Sequence, residues 1–222
     1  GLIRNLVWDY LHGFKNPTPV DDVDVIYFNS LSSWNINEKT GEWKVAADNN
    51  YVKNGSFEAD RRRIPSHVKP VQEFLLGWTT TVIEGNNVSL DSNSSPVLNY
   101  FNTETDRKSV IGEQSLQISD KVNFKRKVNQ LITSSPYVKL EDGTYTLTAK
   151  VKNSSGFALL ELYTESNGTI KSYSIKEENA SWKTIRIERV IVKGGTVEIG
   201  FLAEGKAHAF CYVDDVVFVK TK

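Results

Sequence analysis

Asp22 and Asp24 stand one residue apart in the run Asp22-Val23-Asp24-Val25-Ile26-Tyr27-Phe28, in which Val23 to Phe28 reads as a strand. Strand alternation puts both carboxylates on one face, as two groups sharing a divalent cation require. An edge strand with two solvated aspartates accounts for the same pattern, and both readings stay open. A second acidic pair, Asp214-Asp215, interrupts an apolar terminal stretch over residues 209–219. Carboxylates in such a strand are costly unless they are paired, hydrogen-bonded or bound to a metal. The three histidines, His12, His67 and His208, have no metal-ligand spacing to one another or to the single cysteine, Cys211. Cys211 lies in Ala209-Phe210-Cys211-Tyr212-Val213 and reads as a buried, inert thiol. No Gly-x-Ser-x-Gly elbow, phosphate loop or dinucleotide fingerprint is present. The other carboxylates read as solvated surface groups. The residue types favour binding over catalysis.

The elements that would position these groups are short strands. From Tyr51 onward, alternating segments are separated by Gly, Asn, Asp and Ser. Residues 115–118, 145–151, 158–163, 170–175, 183–191, 196–202 and 209–219 are expected strands. Asp142-Gly143, Asn167-Gly168 and Gly194-Gly195 mark turns. Tyr145, Leu147, Ala149 and Val151 fall on one face of their strand. This spacing predicts an all-β sandwich over residues 50–222, without a long helix. Residues 59–76 and 84–109 are expected to be longer loops.

Residues 1–49 have a different texture and read as an N-terminal segment or the tail of a preceding domain. Residues 3–14 suit a short helix or turn, ended by Asn16-Pro17-Thr18-Pro19. Trp34 to Lys44 reads as a hairpin around a Thr-Gly turn. The chain has 222 residues, enough for a core that needs no disulfide. Basic and acidic residues balance at 27 each, so no global field favours nucleic acid or an anionic membrane. No apolar run approaches the ~18–20 residues that span a bilayer.

The start of the chain, Ile3-Arg4-Asn5-Leu6-Val7-Trp8-Asp9-Tyr10-Leu11-His12-Gly13 with Asp22-Val23-Asp24, resembles part of a nucleotidyltransferase-like family over about 28 residues. That resemblance implies that Asp22 and Asp24 hold a divalent metal against nucleotide phosphates. Its glycine-serine motif and third carboxylate are not recognisable here.

A longer resemblance runs through the rest of the chain. Asn54-Gly55-Ser56-Phe57-Glu58 and Gly77-Trp78 open it. Gly112-Glu113-Gln114-Ser115-Leu116-Gln117-Ile118, Asn129-Gln130-Leu131-Ile132 and Gly143-Thr144-Tyr145-Thr146-Leu147 continue it, and Trp182-Lys183-Thr184-Ile185 and Tyr212-Val213-Asp214-Asp215-Val216 close it. Together these resemble carbohydrate-binding modules with the galactose-binding-like jelly roll, as attached to xylanases and other plant-polysaccharide enzymes. The resemblance implies a jelly-roll β-sandwich, an oligosaccharide or polysaccharide ligand, a secreted or cell-surface location and a monomeric module that is itself non-catalytic. It implies a structural calcium held by Ser56, Glu58, Glu113 and Asp214 or Asp215; mixed carbonyl and carboxylate oxygens suit that ion. It places a stacking aromatic at Phe124. Tyr163 and Tyr173 are expected on the same face, with Arg126 and Gln130 as hydrogen-bond partners. Phe57, Trp78, Tyr145, Trp182 and Phe218 are expected in structural positions. An alternative for residues 121–127 is a charged, solvated edge. Alternatives for the whole chain are a metal-dependent nucleotidyltransferase-like enzyme fragment and an adhesion or protein-binding sandwich.

Overall fold

Alternation builds the strands, and the alternation is visible in what each strand buries. In the computed structural model, residues 34–36, 43–45, 50–57, 77–85, 97–98, 110–111, 115–135 and 138–221 are described. They form β1 (Trp34–Ile36), β2 (Trp43–Val45), β3 (Thr79–Glu84), β4 (Val97–Leu98), β5 (Leu116–Ser119), β6 (Phe124–Thr133) and β7 (Gly143–Asn153). Then follow β8 (Phe157–Ser166), β9 (Thr169–Ser174), β10 (Asn179–Val192), β11 (Thr196–Gly205) and β12 (Phe210–Lys220). Among the described residues there is no helix long and apolar enough to cross a membrane.

β1 and β2 pair as an antiparallel hairpin with Asn35 opposite Lys44, as expected from the sequence. The other strands make two five-stranded sheets, ordered β10-β7-β12-β5-β4 and β3-β6-β11-β8-β9. Every pairing is antiparallel. The first sheet turns Leu116, Ile118, Leu147, Ala149, Val151, Val213 and Phe218 inward. The second turns Val128, Ile132, Leu160, Leu162, Val197, Ile199, Phe201 and Ala203 inward, and the two sets form one core. Each of the Leu, Ile, Val and Phe side chains among them, fully buried, contributes about 1.5–3 kcal/mol. Tyr145 stacks on Phe218 at 4.8 Å. Phe57 meets Trp78 at 5.7 Å. Of the five aromatics expected in structural positions, Phe57, Trp78, Tyr145 and Phe218 are buried and Trp182 is half-buried.

Residues 50–57 run beside β12. Tyr51 N donates to Phe218 O, and Val216 N donates to Gly55 O, each at 2.9 Å. The opening segment and the last strand are therefore neighbours. The β8–β9 turn is Asn167-Gly168 with φ of 50° and 72°, the doubly positive geometry that suits the right-handed twist of a hairpin.

Three expectations need correction. β3 was not among the expected strands. Val97 and Leu98, expected in a loop, pair with Gln117 and Leu116. Residues 124–127 are no solvated edge, because β6 lies between β3 and β11 and is paired on both sides; residues 121–123 are the exposed turn before it. The expectations for residues 3–14, for 23–28 and for Asp22 and Asp24 lie outside the described residues.

Candidate functional site

The start of β6, the end of β11 and the start of β8 meet at one rim of the second sheet. Gly205 is the common neighbour, opposite Phe124 on one side and Phe157 on the other. A cavity of about 290 Å³ opens there, lined by Glu84, Asn123, Phe124, Gly156, Phe157, Ala158, Glu204, Gly205 and Lys206. The two rings meet edge to face, 6.0 Å apart at 89°. Phe124 is buried and forms the floor; Phe157 is half-buried and forms a wall. A Cβ on Gly205 would stand 2.6 Å from Phe124 Cζ and 3.2 Å from Phe157 Cε1, so only glycine leaves room for both rings. Gly205→Ala should therefore displace the Phe124 ring and cost about 1–3 kcal/mol, as overpacking does. An unchanged denaturation midpoint would show that the rings yield freely.

The rim is braced from below. Arg126 and Asp120, both with fully buried side chains, pair at 2.5 Å. The Arg126 guanidinium also donates to the carbonyls of Glu84 and Lys125. Asp120 accepts from Lys121 N at 2.6 Å, and its carbonyl accepts from His208 N at 2.8 Å. Asn123 Oδ1 accepts from Ala207 N at 3.0 Å. One ion pair thus ties the ends of β3 and β5, the start of β6 and the turn before β12. Desolvation pulls the Arg126 pKa below its usual value, while the charge and hydrogen bond of Asp120 oppose that pull.

The outer face of the same sheet carries a second polar group. Lys127, Glu198 and Tyr163 sit on β6, β11 and β8. Glu198 Oε1 accepts from the Tyr163 hydroxyl at 2.5 Å and from Lys127 Nζ at 2.7 Å. Lys127 Nζ stands 5.7 Å from the Tyr163 ring centre. Desolvation pushes the Glu198 carboxyl up, but hydrogen bonds from Lys127, Tyr163 and Asn129 outweigh it and hold the group below its ordinary value. Burial, and then Glu198, push the Tyr163 phenol up. With 4% of its surface exposed, Tyr163 has little ring left to offer a ligand.

Asp214 is fully buried. Its Oδ2 accepts from Val110 N at 2.6 Å and Ile111 N at 2.9 Å, and its Oδ1 from Asp215 N at 2.7 Å. No ion pair reaches it among the described residues, although Lys150 is its cross-strand neighbour. Desolvation raises its pKa to about 7 against the pull of those three N–H groups.

The structure separates the residues that the sequence grouped. Phe124, Arg126 and Gln130 alternate with Lys125, Lys127 and Asn129, and they face the core rather than solvent. Phe124 reaches a ligand only as the floor of the rim cavity. Arg126 is committed to Asp120. Gln130 pins the opening segment: Oε1 accepts from Lys53 N and Nε2 donates to Lys53 O, both at 2.8 Å. None of the three presents itself on an open sheet face. Tyr173 packs against the core opposite Leu162, so it does not share an outer face with Tyr163. Ser56 is buried and Asp215 half-buried; Glu58 and Glu113 lie outside the described residues. Among the described residues, no three His, Cys, Asp or Glu side chains converge on one point. Phe157, Asn123, Glu204 and Lys206 were not expected at a site. The available signal was an aromatic directly after the turn Ser154-Ser155-Gly156.

Comparison with known proteins agrees with the architecture. Residues 1–54 match the nucleotidyltransferase family, which covers well under half of the chain. No curated protein matches the sequence. TmCBM61, solved in complex with beta-1,4-galactotriose, shares the fold with a TM-score of 0.56 and 17% identity, over 78% of this chain and 99% of its own. The enzymatically active domain of tailspike protein 4 from bacteriophage CBA120 gives a TM-score of 0.51 and 15% identity over 80% of this chain. This chain spans only 22% of that tailspike. The jelly-roll expectation is borne out as a fold; at such identities the likeness carries no more than that.

Proposed function

We propose that the sandwich is a non-catalytic carbohydrate-binding module that seats an oligosaccharide in the rim cavity. The observation that supports this reading is the cavity itself, which sets the half-buried Phe157 ring among Asn123, Glu84, Glu204 and Lys206. A pyranose needs that combination: an apolar ring surface for its C–H groups and donors and acceptors for its hydroxyls. The fold shared with TmCBM61, which was solved with a galactotriose, is consistent with it. A module of this kind would hold a polysaccharide-degrading enzyme on its substrate, outside the cell.

Stacking on a wet ligand leaves a modest surplus after desolvation, so dissociation constants of about micromolar to millimolar are expected. Phe157→Ala should weaken binding about tenfold, since an aromatic contact is worth ~0.5–1.5 kcal/mol beyond its area. Affinity electrophoresis against a panel of galactans and xylans, with and without the substitution, tests this. Binding to no glycan, or binding indifferent to Phe157, rejects the site.

We also propose a structural calcium beside Asp214. A fully buried carboxylate that takes three backbone N–H groups but no ion pair among the described residues is compatible with a metal ligand. Asp214 and the Ser56 carbonyl would hold the ion, with Glu58 and Glu113 supplying the carboxylate and carbonyl that the resemblance implies. Calcium would tie the opening segment to β12.

A second reading concerns the N-terminal segment alone. The family match over residues 1–54 favours a nucleotidyltransferase element there, with Asp22 and Asp24 as metal ligands. Magnesium-dependent nucleotide binding that is lost in Asp22→Asn would support it.

A further inference from the structure

A second cavity, of about 200 Å³, lies between the β8–β9 hairpin and the far end of β10. Its lining is chemically one-sided. Thr164, Ser166, Asn167 and Thr169 supply hydroxyl and amide groups, and Lys171 and Lys193 supply two ammonium groups. Val190 and Ile191 complete the lining; Val190 belongs to the core, and Ile191, on the other face of β10, is 48% exposed. No carboxylate lines it. The rim cavity differs, because Glu84 and Glu204 line that one.

The cavity is built, and not a gap between loose edges. β10 shifts register between Ile187 and Val190, and Arg189 there has φ 54°. That bulge turns the carbonyls of Glu188 and Arg189 toward β9. Lys171 Nζ donates to both, at 3.3 and 2.6 Å. Lys171 thereby bridges the edges of the two sheets and closes one side of the cavity. On the opposite side Thr196 pairs with Lys193. The Ser166 hydroxyl, in a side chain that is 5% exposed, donates to Thr196 O at 3.2 Å and fixes that wall.

Two ammonium groups without a carboxylate select an anion. Four neutral hydrogen-bonding side chains select one that also carries hydroxyls. We infer that this cavity binds a monosaccharide-sized sugar acid, its carboxylate toward Lys171 and Lys193 and its hydroxyls among Thr164, Ser166, Asn167 and Thr169. The site is separate from the rim cavity and does not depend on it.

The test uses the full chain and isothermal titration with D-galacturonate, D-galactose and inorganic phosphate, at ~20 mM and ~300 mM salt, because ion pairing weakens as the Debye length shrinks. Galacturonate should bind at least about tenfold more tightly than galactose or phosphate at low salt, and severalfold more weakly at high salt. Lys193→Ala should weaken galacturonate about fivefold or more, the loss expected for one charged hydrogen bond. Phe157→Ala should leave galacturonate binding unchanged, which separates this site from the rim. Galactose or phosphate binding as tightly as galacturonate in the Phe157→Ala chain, where the rim contribution is weakened, would overturn the inference. So would indifference to Lys193→Ala, or a loss of galacturonate binding in Phe157→Ala.

Discussion

Asp120→Ala should lower the melting temperature by on the order of 10 °C. The Arg126 side chain has no exposed surface, and Asp120 is its anionic partner. Removing one member of a buried pair leaves an uncompensated charge and typically costs about 3–5 kcal/mol. In a domain of this size each kcal/mol shifts the midpoint by about 2–4 °C. The same substitution frees Lys121 N from its acceptor and loosens the turn that presents Asn123. Glycan affinity should therefore fall together with stability. Replacing both partners, Asp120→Leu with Arg126→Met, should recover much of the stability, because the pair itself is worth little against apolar residues of similar volume. The exposed pair Lys125–Glu204 provides the contrast, with side chains 39% and 44% exposed. Lys125→Ala there should cost no more than ~1 kcal/mol. Thermal denaturation of the set decides the matter; an Asp120→Ala midpoint within a degree or two of the parent would remove the pair from its bracing role.

That pair also explains what the sequence hid. The fold was legible because β7 alternates cleanly: Tyr145, Leu147, Ala149 and Val151 are all buried, as their spacing requires. The Asn167-Gly168 turn was legible because its residue types suit positive φ. The orientation of β6 was harder. Its inner face reads Phe124, Arg126, Val128, Gln130, Ile132, and two polar residues in that row mask the period. Arg126 is tolerated inside only because Asp120 lies across a turn, and Gln130 only because Lys53 offers its backbone from 77 positions away. Neither partner is visible to periodicity. The rim cavity was hidden for a similar reason: Gly205 places Phe124 beside Phe157, and no local pattern joins those three positions.

Asp214 yields the other large effect, and its sign depends on metal. Its carboxyl titrates near 7 in the folded chain, chiefly because burial disfavours the charge. In the unfolded chain an aspartate titrates at about 3.9. The folded state therefore holds the proton more tightly, and this group's contribution to stability is complete below about pH 4. It is lost as pH rises toward 7, because the unfolded chain ionises freely while the folded chain must ionise a buried group. Three pKa units correspond to about 4 kcal/mol, an order-of-magnitude figure for a fully buried carboxylate. Glu198, held below its ordinary value, acts in the opposite direction at acid pH, so the parent must be compared with Asp214→Asn. In chelator, the melting temperature of the parent relative to Asp214→Asn should fall between pH 4 and 7. In millimolar calcium the fall should vanish or reverse, because a bound cation favours the ionised carboxylate and stabilises only the native state. Asp214→Asn should show neither the fall nor the calcium response. A flat difference in chelator would overturn the burial argument; a fall that calcium leaves untouched would overturn the metal site while leaving the buried acid in place.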